Sequence, residues 1–504
     1  MFIEKLSSYK NWREKQKELK VIGEAPMLVG YLTMAMKITP NLERACSFAG
    51  EQLEGEMSKE MAEKISEQHM RLHSSADEVL SKFSKRWGSV CPELERSIYL
   101  IRSSVNERAK ASRVRTLDRS LQIVLQGARD RVRDFASSIS LPTLMIYSLG
   151  ILLPLVFIVI LPVLSVIDIR VGLEHIVFLY CFLLPILMYI LSHHVLSRRP
   201  ATLQPPKISF KTSQIRTISI SIALSIPLPV LSLLLGAPPD INSLAVLWGA
   251  VLGITAYLYL NSARAFRRRE EIIQMEKEFC DALVQLGNRV SEGRPAEDAL
   301  EHVAKTIRGS KLERVFKRAS ANVRLGGMGL SAAIFDDERG ALKSINSNMI
   351  RGTLKMLVDL IERSTQTAGE AILQTAEHLR ELKGVEAEIR RTMSEVVTSM
   401  RSVALFFAPL VTSVAARMQG LLSSKTASAG FLGSTGVSPP AFLLVLGVYI
   451  TILTAILINY VVEIELSDDR WAKRMSIASA LPVAMGVFTA GAILGGQMLS
   501  ALVG

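Results

Sequence analysis

One stretch of this chain constrains all the rest. From Ile241 to Ala263 it reads INSLAVLWGAVLGITAYLYLNSA, with no charge between Asp240 and Arg264. At 1.5 Å rise per residue, about 20 apolar residues cross a bilayer core of about 30 Å. The stretch therefore predicts a transmembrane helix. What makes it central is that it has no partner elsewhere in the chain. The residues on either side read as two copies of one unit: a long polar region, then three apolar spans. Each copy has an odd number of spans. Without one extra crossing, the second copy would start on the opposite side of the membrane. Ile241–Ala263 is the piece that lets both copies face the same way.

The chain is too long for a single small domain, at 504 residues. It is 49% hydrophobic yet 21% charged, a mixture that fits a membrane protein with large polar parts. The expected class is all-α. Long charged runs such as EGEMSKEMAEKISEQHMRLH are rich in good helix formers, and no useful alternating strand pattern is present. The expected layout is a helical domain at 1–136, three spans within 137–237, the unpaired span 241–263, a second helical domain at 264–401 and three spans within 397–504. Glycine breaks are expected at Gly309 and at Gly326-Gly327. No apolar core lies within the first 30 or so residues, so no secretory signal is expected.

Orientation follows from the basic residues. With the amino terminus inside, residues 1–136 hold 24 Lys and Arg, loop 197–216 holds 5, residues 264–401 hold 24 and the loop after the sixth span holds 3. Only Arg170, Arg417 and Lys425 fall outside. Seven spans then place the carboxyl terminus outside. An offset of about 254 residues superposes the halves. Leu42-Glu43-Arg44-Ala45 meets Ala296-Glu297-Asp298-Ala299, and Leu153-Pro154-Leu155-Val156 meets Ala408-Pro409-Leu410-Val411 one residue off that register. The repeat is parallel, unlike the inverted halves of many transporters.

Catalytic signatures are missing. There is no GxxxxGK[ST] phosphate loop, no HExxH and no GxSxG, so neither an enzyme nor a cofactor site is expected. None of Cys46, Cys91, Cys181 and Cys280 sits in a CxxC pair, so no disulfide framework or zinc site is suggested. His69 and His73 share a helix face without a third ligand, and His193-His194 read as polar residues at the end of a span. No Asp, Glu or Lys lies mid-span, which argues against a pump or coupled transporter. Gly249/Gly253 and Gly491/Gly495 have the spacing of close helix contacts, read as internal packing in preference to a dimer seam.

The most suggestive polar feature is a basic stripe: Lys305, Arg308, Lys311, Arg314, Lys317 and Arg318, with Arg324 beyond. Spacing near three puts these roughly on one helix face. The matching stretch of the first half is acidic: Glu51, Glu54, Glu56, Glu60, Glu63 and Glu67 against Lys59 and Lys64. Such a face can dock an acidic protein, touch anionic membrane lipids, meet the acidic face of the first half, or simply be solvated. Nucleic acid is not an expected partner, because the stripe lacks aromatic or motif support.

The layout resembles the type II secretion F domain. The resemblance rests on APMLVGYLTMAMKITPNLERACSFAGE at 25–51 and FCDALVQLGNRVSEGRPAEDALEHVAK at 279–305. It rests also on EHLRELKGVEAEIRRTMSEVV at 377–397, leading into ALFFAPLV at 404–411. The first copy departs at Lys37-Ile38-Thr39, where the second has Ser291-Glu292-Gly293. A fused pair with seven spans is most similar to the archaeal type IV pilus and archaellum membrane platform. The resemblance implies a multi-pass protein of the cell membrane at the base of a filament. It implies a hexameric secretion ATPase and pilin or archaellin subunits as partners, and is compatible with a homodimer. For ATPase contact it points to the basic stripe and to Arg390-Arg391, and more weakly to Arg129, Arg131 and Arg133, which equally satisfy the positive-inside rule. The alternative is a membrane sensor or scaffold that signals through the helical domains.

Overall fold

The computed structural model describes residues 22–52, 55–69, 75–166, 171–197, 199, 214–343, 345, 347–363, 365–428, 438–466 and 469–503. Its regular elements are all helices. In chain order they are α1 (22–38), α2 (Leu42–Gln52), α3 (Glu56–His69), α4 (Ala76–Gly88), α5 (Pro92–Ser104), α6 (Lys110–Ser138), α7 (Ser140–Tyr147), α8 (Leu153–Val166), α9 (Leu173–Val177), α10 (Leu184–Leu196), α11 (Gln214–Ser225) and α12 (Pro227–Leu234). There follow α13 (Pro239–Ser291), α14 (Ala296–Thr306), α15 (Lys311–Arg324), α16 (Leu330–Phe335), α17 (Asn348–Arg363), α18 (Thr365–Ser402), α19 (Ala408–Ser428), α20 (Pro439–Leu466) and α21 (Arg470–Val503). Among the described residues, seven helical stretches are long and apolar enough to cross a membrane, one at each expected place.

Two compact units result. The polar unit holds the described residues of Met1–Arg133 and Arg268–Ile389. The membrane unit holds those of Asp134–Arg199, Lys207–Arg267 and Arg390–Gly504. Three of the seven helices are far longer than a bilayer needs: Lys110–Leu161 with 52 residues, and Pro239–Ser291 and Ala368–Gly420 with 53 each. Hydropathy marks only their apolar part. The polar part continues the same helix because no proline stops it: none lies between Pro239 and Pro295, or from Thr365 to Ala408.

Within the membrane unit, three π-helical turns interrupt the spans: Ser148–Leu152, Phe178–Leu183 and Val403–Phe407. Each ends two residues before a proline, Pro154, Pro185 and Pro409. Proline has no N–H to give the carbonyl four residues back, and the helix widens there. Lipid cannot satisfy the freed carbonyl, so protein must. The Gly150 carbonyl, four residues before Pro154, accepts the Tyr449 hydroxyl at 2.5 Å; separately, the Tyr180 hydroxyl donates to the Pro154 carbonyl at 2.7 Å. The two buried rings meet edge to face at 5.4 Å.

The central helix α13 is tied into this unit on several sides. A Cβ at Gly249 would lie 2.5 Å from the Ser225 carbonyl oxygen, and one at Gly253 would lie 2.9 Å from Ser225 Cβ. Gly447 receives Leu247, and Gly491 receives Ser413. Both small-residue spacings therefore serve packing within the chain. Trp248 Nε1 donates to Thr489 Oγ1 at 2.9 Å. Asp240, at the start of α13, pairs with Arg417 at 2.6 Å, while Arg417 Nε donates to the Ala492 carbonyl at 2.9 Å.

In the polar unit, α1 is buried almost all round, as a helix with Leu28, Val29, Leu32, Met34 and Met36 on its faces must be. Gly30 permits close approach to α18: a Cβ there would sit 3.0 Å from Leu382 Cδ1 and 3.3 Å from His378 Nε2. The helices of the two halves run in matched order. α2 and α14 both have 11 residues and begin 254 apart; α3 and α15 both have 14 and begin 255 apart.

Candidate functional site

The basic stripe is built on α14, a turn and α15. Gly309 adopts φ +87°, a left-handed conformation that ends α14 and splits the stripe as expected. Ser310 then caps α15: its hydroxyl accepts from the Leu312 N–H at 3.1 Å, and Glu313 reaches back to the Gly309 N–H at 2.8 Å. The Ser310 hydroxyl also donates to Glu278 on α13, which fixes the start of α15. Leu312, Val315, Phe316, Ala319 and Ser320 form the buried face. Gly327 at φ +59° closes the far end. With that face turned in, Lys311, Arg314, Lys317, Arg318 and Arg324 are all exposed, as are Lys305 and Arg308 before them.

The stripe divides into paired and unpaired cations. Lys305 pairs with Glu301 at 2.7 Å, Lys311 with Glu271, and Arg324 with Glu301 and with Asp298 at 3.2 Å. Lys305, with Arg324 nearby, holds the Glu301 carboxyl below its ordinary pKa. Arg308, Arg314, Lys317 and Arg318 have no ion-pair or hydrogen-bond partner among the described residues. All the stripe's acidic partners come from its own half. The acids of the first half are engaged elsewhere: Glu60 accepts from Arg86 at 2.9 Å and Trp87 at 3.1 Å, and Glu51 pairs with Lys355 at 3.4 Å. Glu54 lies outside the described residues, as does His73.

The other arginines fare differently. Arg129 pairs with Glu388 at 2.8 Å and Arg131 with Glu93 at 2.7 Å. Although Glu93 is partly buried, which pushes its carboxyl up, the Arg131 guanidinium wins and holds it below the usual range. These two arginines are therefore structural, while Arg133 is exposed. Arg390 and Arg391 belong to the membrane unit, with Arg391 exposed and Arg390 half-buried.

Sequence reading missed two features. One is Leu325, which lies in helical register with Arg314 and Arg318 and is 89% exposed; a leucine before Gly326-Gly327 reads as a helix end, not as surface. The other is the polar core between α13 and α18. Lys383 reaches Glu276 at 2.8 Å and Glu386 at 3.0 Å, and Ser347 donates to Glu276 at 2.8 Å. Nearby, burial holds the pKa of His378 down at about 3, with Lys37 adding to the effect. The described residues contain no group of three metal-ligating side chains.

The fold so defined is that of an all-helical, multi-pass membrane protein with a polar helical unit. Residues 282–416 match the family model of type II secretion system (T2SS), protein F. The match begins in α13, takes in the whole stripe and runs through α18 into the fifth span. No curated protein and no solved structure matches the chain.

Proposed function

We propose that this protein is the integral membrane platform of a type IV pilus-like or archaellum assembly machine. In this reading it couples a hexameric cytoplasmic secretion ATPase to the transfer of pilin or archaellin subunits from the bilayer into a surface filament. The observation that carries it is the family match at 282–416, which joins polar helices and a membrane span in one domain. The role is mechanical and needs no cofactor. The amino terminus is cytoplasmic, because that orientation puts 56 of 59 basic residues inside, and the carboxyl terminus is outside.

The first polar region, 1–136, is a second copy of the domain, and the chain is a parallel repeat joined by the unpaired span 241–263. Two correspondences support this. Helix lengths match at offsets of 254 and 255. Glu24 and Glu278, also 254 apart, both hold the start of the third helix of their half, Glu24 by accepting from the Met57 N–H at 2.9 Å and Glu278 through Ser310. The unpaired cations of α15 are the ATPase contact; Arg390 and Arg391 supplement them. A homodimer beneath a hexameric motor fits the same scheme.

Deletion of the gene, followed by electron microscopy and a swimming assay, tests the reading. Loss of one class of surface filament, restored by complementation, is expected, and the motility result separates archaellum from adhesive pilus. If every filament persists with no second platform gene present, the chain is not a platform. A sensor or scaffold acting through the polar unit then becomes the better account.

A further inference from the structure

The third span, made of α11 and α12, is the least anchored part of the membrane unit. Only 17% of its apolar window is buried, the lowest share among the seven candidate spans. Ser219, Ser221 and Ser232 donate to carbonyls of their own segment, those of Ile215, Thr217 and Pro229. No ion pair ties the span to another helix among the described residues. It rests on α13, where Gly249 meets Ser225 and Pro229, and Gly253 meets Ser225 and Ser221. These contacts run antiparallel. Arg216, near the start of α11, therefore falls opposite about residue 260 of α13, and Arg264 lies about one turn, or about 6 Å, further on.

On α13, Arg264 stands 11 residues after Gly253 and Arg267 stands 18 after Gly249, close to whole numbers of turns. Both lie on the line of α13 that faces the third span, past the place where α11 begins. Arg216, Arg264 and Arg267 are all exposed, and none has an ion-pair or hydrogen-bond partner among the described residues. Other cations at this boundary are matched by acids: Arg401 by Glu465 at 3.3 Å, and Lys473 by Glu463. Exposed Ile218, Ile220 and Ile222 continue from Arg216 along α11.

Unmatched arginines where two spans meet the membrane surface suit an anion, and the guanidinium fork matches phosphate oxygens in pairs. The isoleucines beside them suit an anion that carries apolar chains. We infer that Arg216, Arg264 and Arg267 bind the phosphate of an anionic phospholipid, with its chains along α11, and that this lipid fastens the third span to α13. Basic pockets between membrane helices take acidic headgroups in this way. The general excess of basic residues on this side accounts for charge at each span end. It does not account for three unmatched arginines converging from two helices beside the span that the protein itself holds least. Such a site needs only a chain that crosses a membrane, and it stands or falls apart from the platform role.

The test uses the full chain in mild detergent, with phosphatidylglycerol or phosphatidylcholine added back and bound lipid counted by native mass spectrometry. The unaltered chain holds phosphatidylglycerol about tenfold more tightly than phosphatidylcholine, and phosphatidylglycerol raises its melting temperature. Arg216→Ala with Arg264→Ala weakens phosphatidylglycerol binding about tenfold and removes most of that rise. Arg216→Lys with Arg264→Lys keeps the charges that guide insertion but loses the fork, so it weakens binding about threefold, and it serves where the alanine pair fails to insert. Arg470→Ala with Arg474→Ala removes exposed cations from the same boundary and changes binding by less than about twofold. An equal loss in that last pair reduces the effect to general attraction at the membrane surface and overturns the proposal. Equal affinity of the unaltered chain for the two lipids overturns it, as does binding that ignores both Arg216/Arg264 variants. A melting-temperature rise of the same size from inorganic phosphate without lipid overturns the assignment to a phospholipid.

Discussion

The two halves of the polar unit carry helices in matched order and length but differ in what those helices present. In both, a glutamate on the first helix holds the start of the third, Glu24 for α3 and Glu278 for α15. In both, the third helix buries an apolar stripe: Met57, Met61 and Ile65 in one, Leu312, Val315, Phe316 and Ala319 in the other. They part on the outward face. On α3, Glu60 is engaged by Arg86 and Trp87 of α4. On α15, Arg314, Lys317 and Arg318 have no such neighbour among the described residues. They part also at the turn before the second helix. Thr39-Pro40-Asn41 stops α1 with proline and caps α2 through Asn41, whose side chain accepts from the Arg44 N–H at 3.1 Å. The second half stops α13 with Gly293 at φ +76° and starts α14 at Pro295 with no side-chain cap. The inward chemistry is shared because it holds the fold. The outward chemistry is where the halves differ.

Six substitutions sharpen or break this comparison. The largest effect is expected at Lys383→Ala, which strands Glu276 in the core of the second half and costs about 3 kcal/mol; hydrogen exchange should rise in α13 and α18 together. Next, Glu24→Ala leaves the Met57 N–H buried without an acceptor and costs about 2 kcal/mol, while Glu278→Ala costs about 1 kcal/mol. If only one of the pair lowers the melting temperature, the likeness of the halves stops at their outline.

His378 adds a pH-dependent test on the second half. In the folded chain it is buried against Gly30 and Thr33 of α1, with Lys37 of the same helix also disfavouring its protonation. Its folded pKa of about 3 lies below the unfolded value of about 6.5. The unfolded chain therefore binds the extra proton first, and stability falls as pH drops below about 6.5, by at most about 1.4 kcal/mol per pH unit. His378→Leu should flatten this acid limb in melts recorded between neutral pH and pH of about 4. The smallest effect concerns the turns. Gly293→Ala costs about 1 kcal/mol because its left-handed backbone disfavours a Cβ, whereas Thr39→Ala costs less than about 0.5 kcal/mol. Equal losses would show that the two turns are alike after all.

Much of the fold was legible because its causes are local. A span is announced by its own apolar run, and all seven were found at their places. Left-handed ends at Gly309 and Gly327 follow from residues that tolerate positive φ. The prolines at 154, 185 and 409 were legible as residues within apolar runs. That each would widen the helix into a π turn was not, and that Tyr449 would cross to the Gly150 carbonyl could not be read from spacing.

The stripe was legible as charge but not as a set of separate fates. Sequence alone determined that the chain is helical, that it crosses a membrane seven times and that the outer face of α15 is basic, because hydropathy, helix period and charge are properties of neighbouring residues. Only the tertiary structure decided which cations are spent. Lys311 meets Glu271 forty positions away and Arg131 meets Glu93, while Arg314 and Arg318 are left without a partner among the described residues. An ion pair forms where side chains come within a few ångströms, and that distance is set by how helices pack, not by their order along the chain.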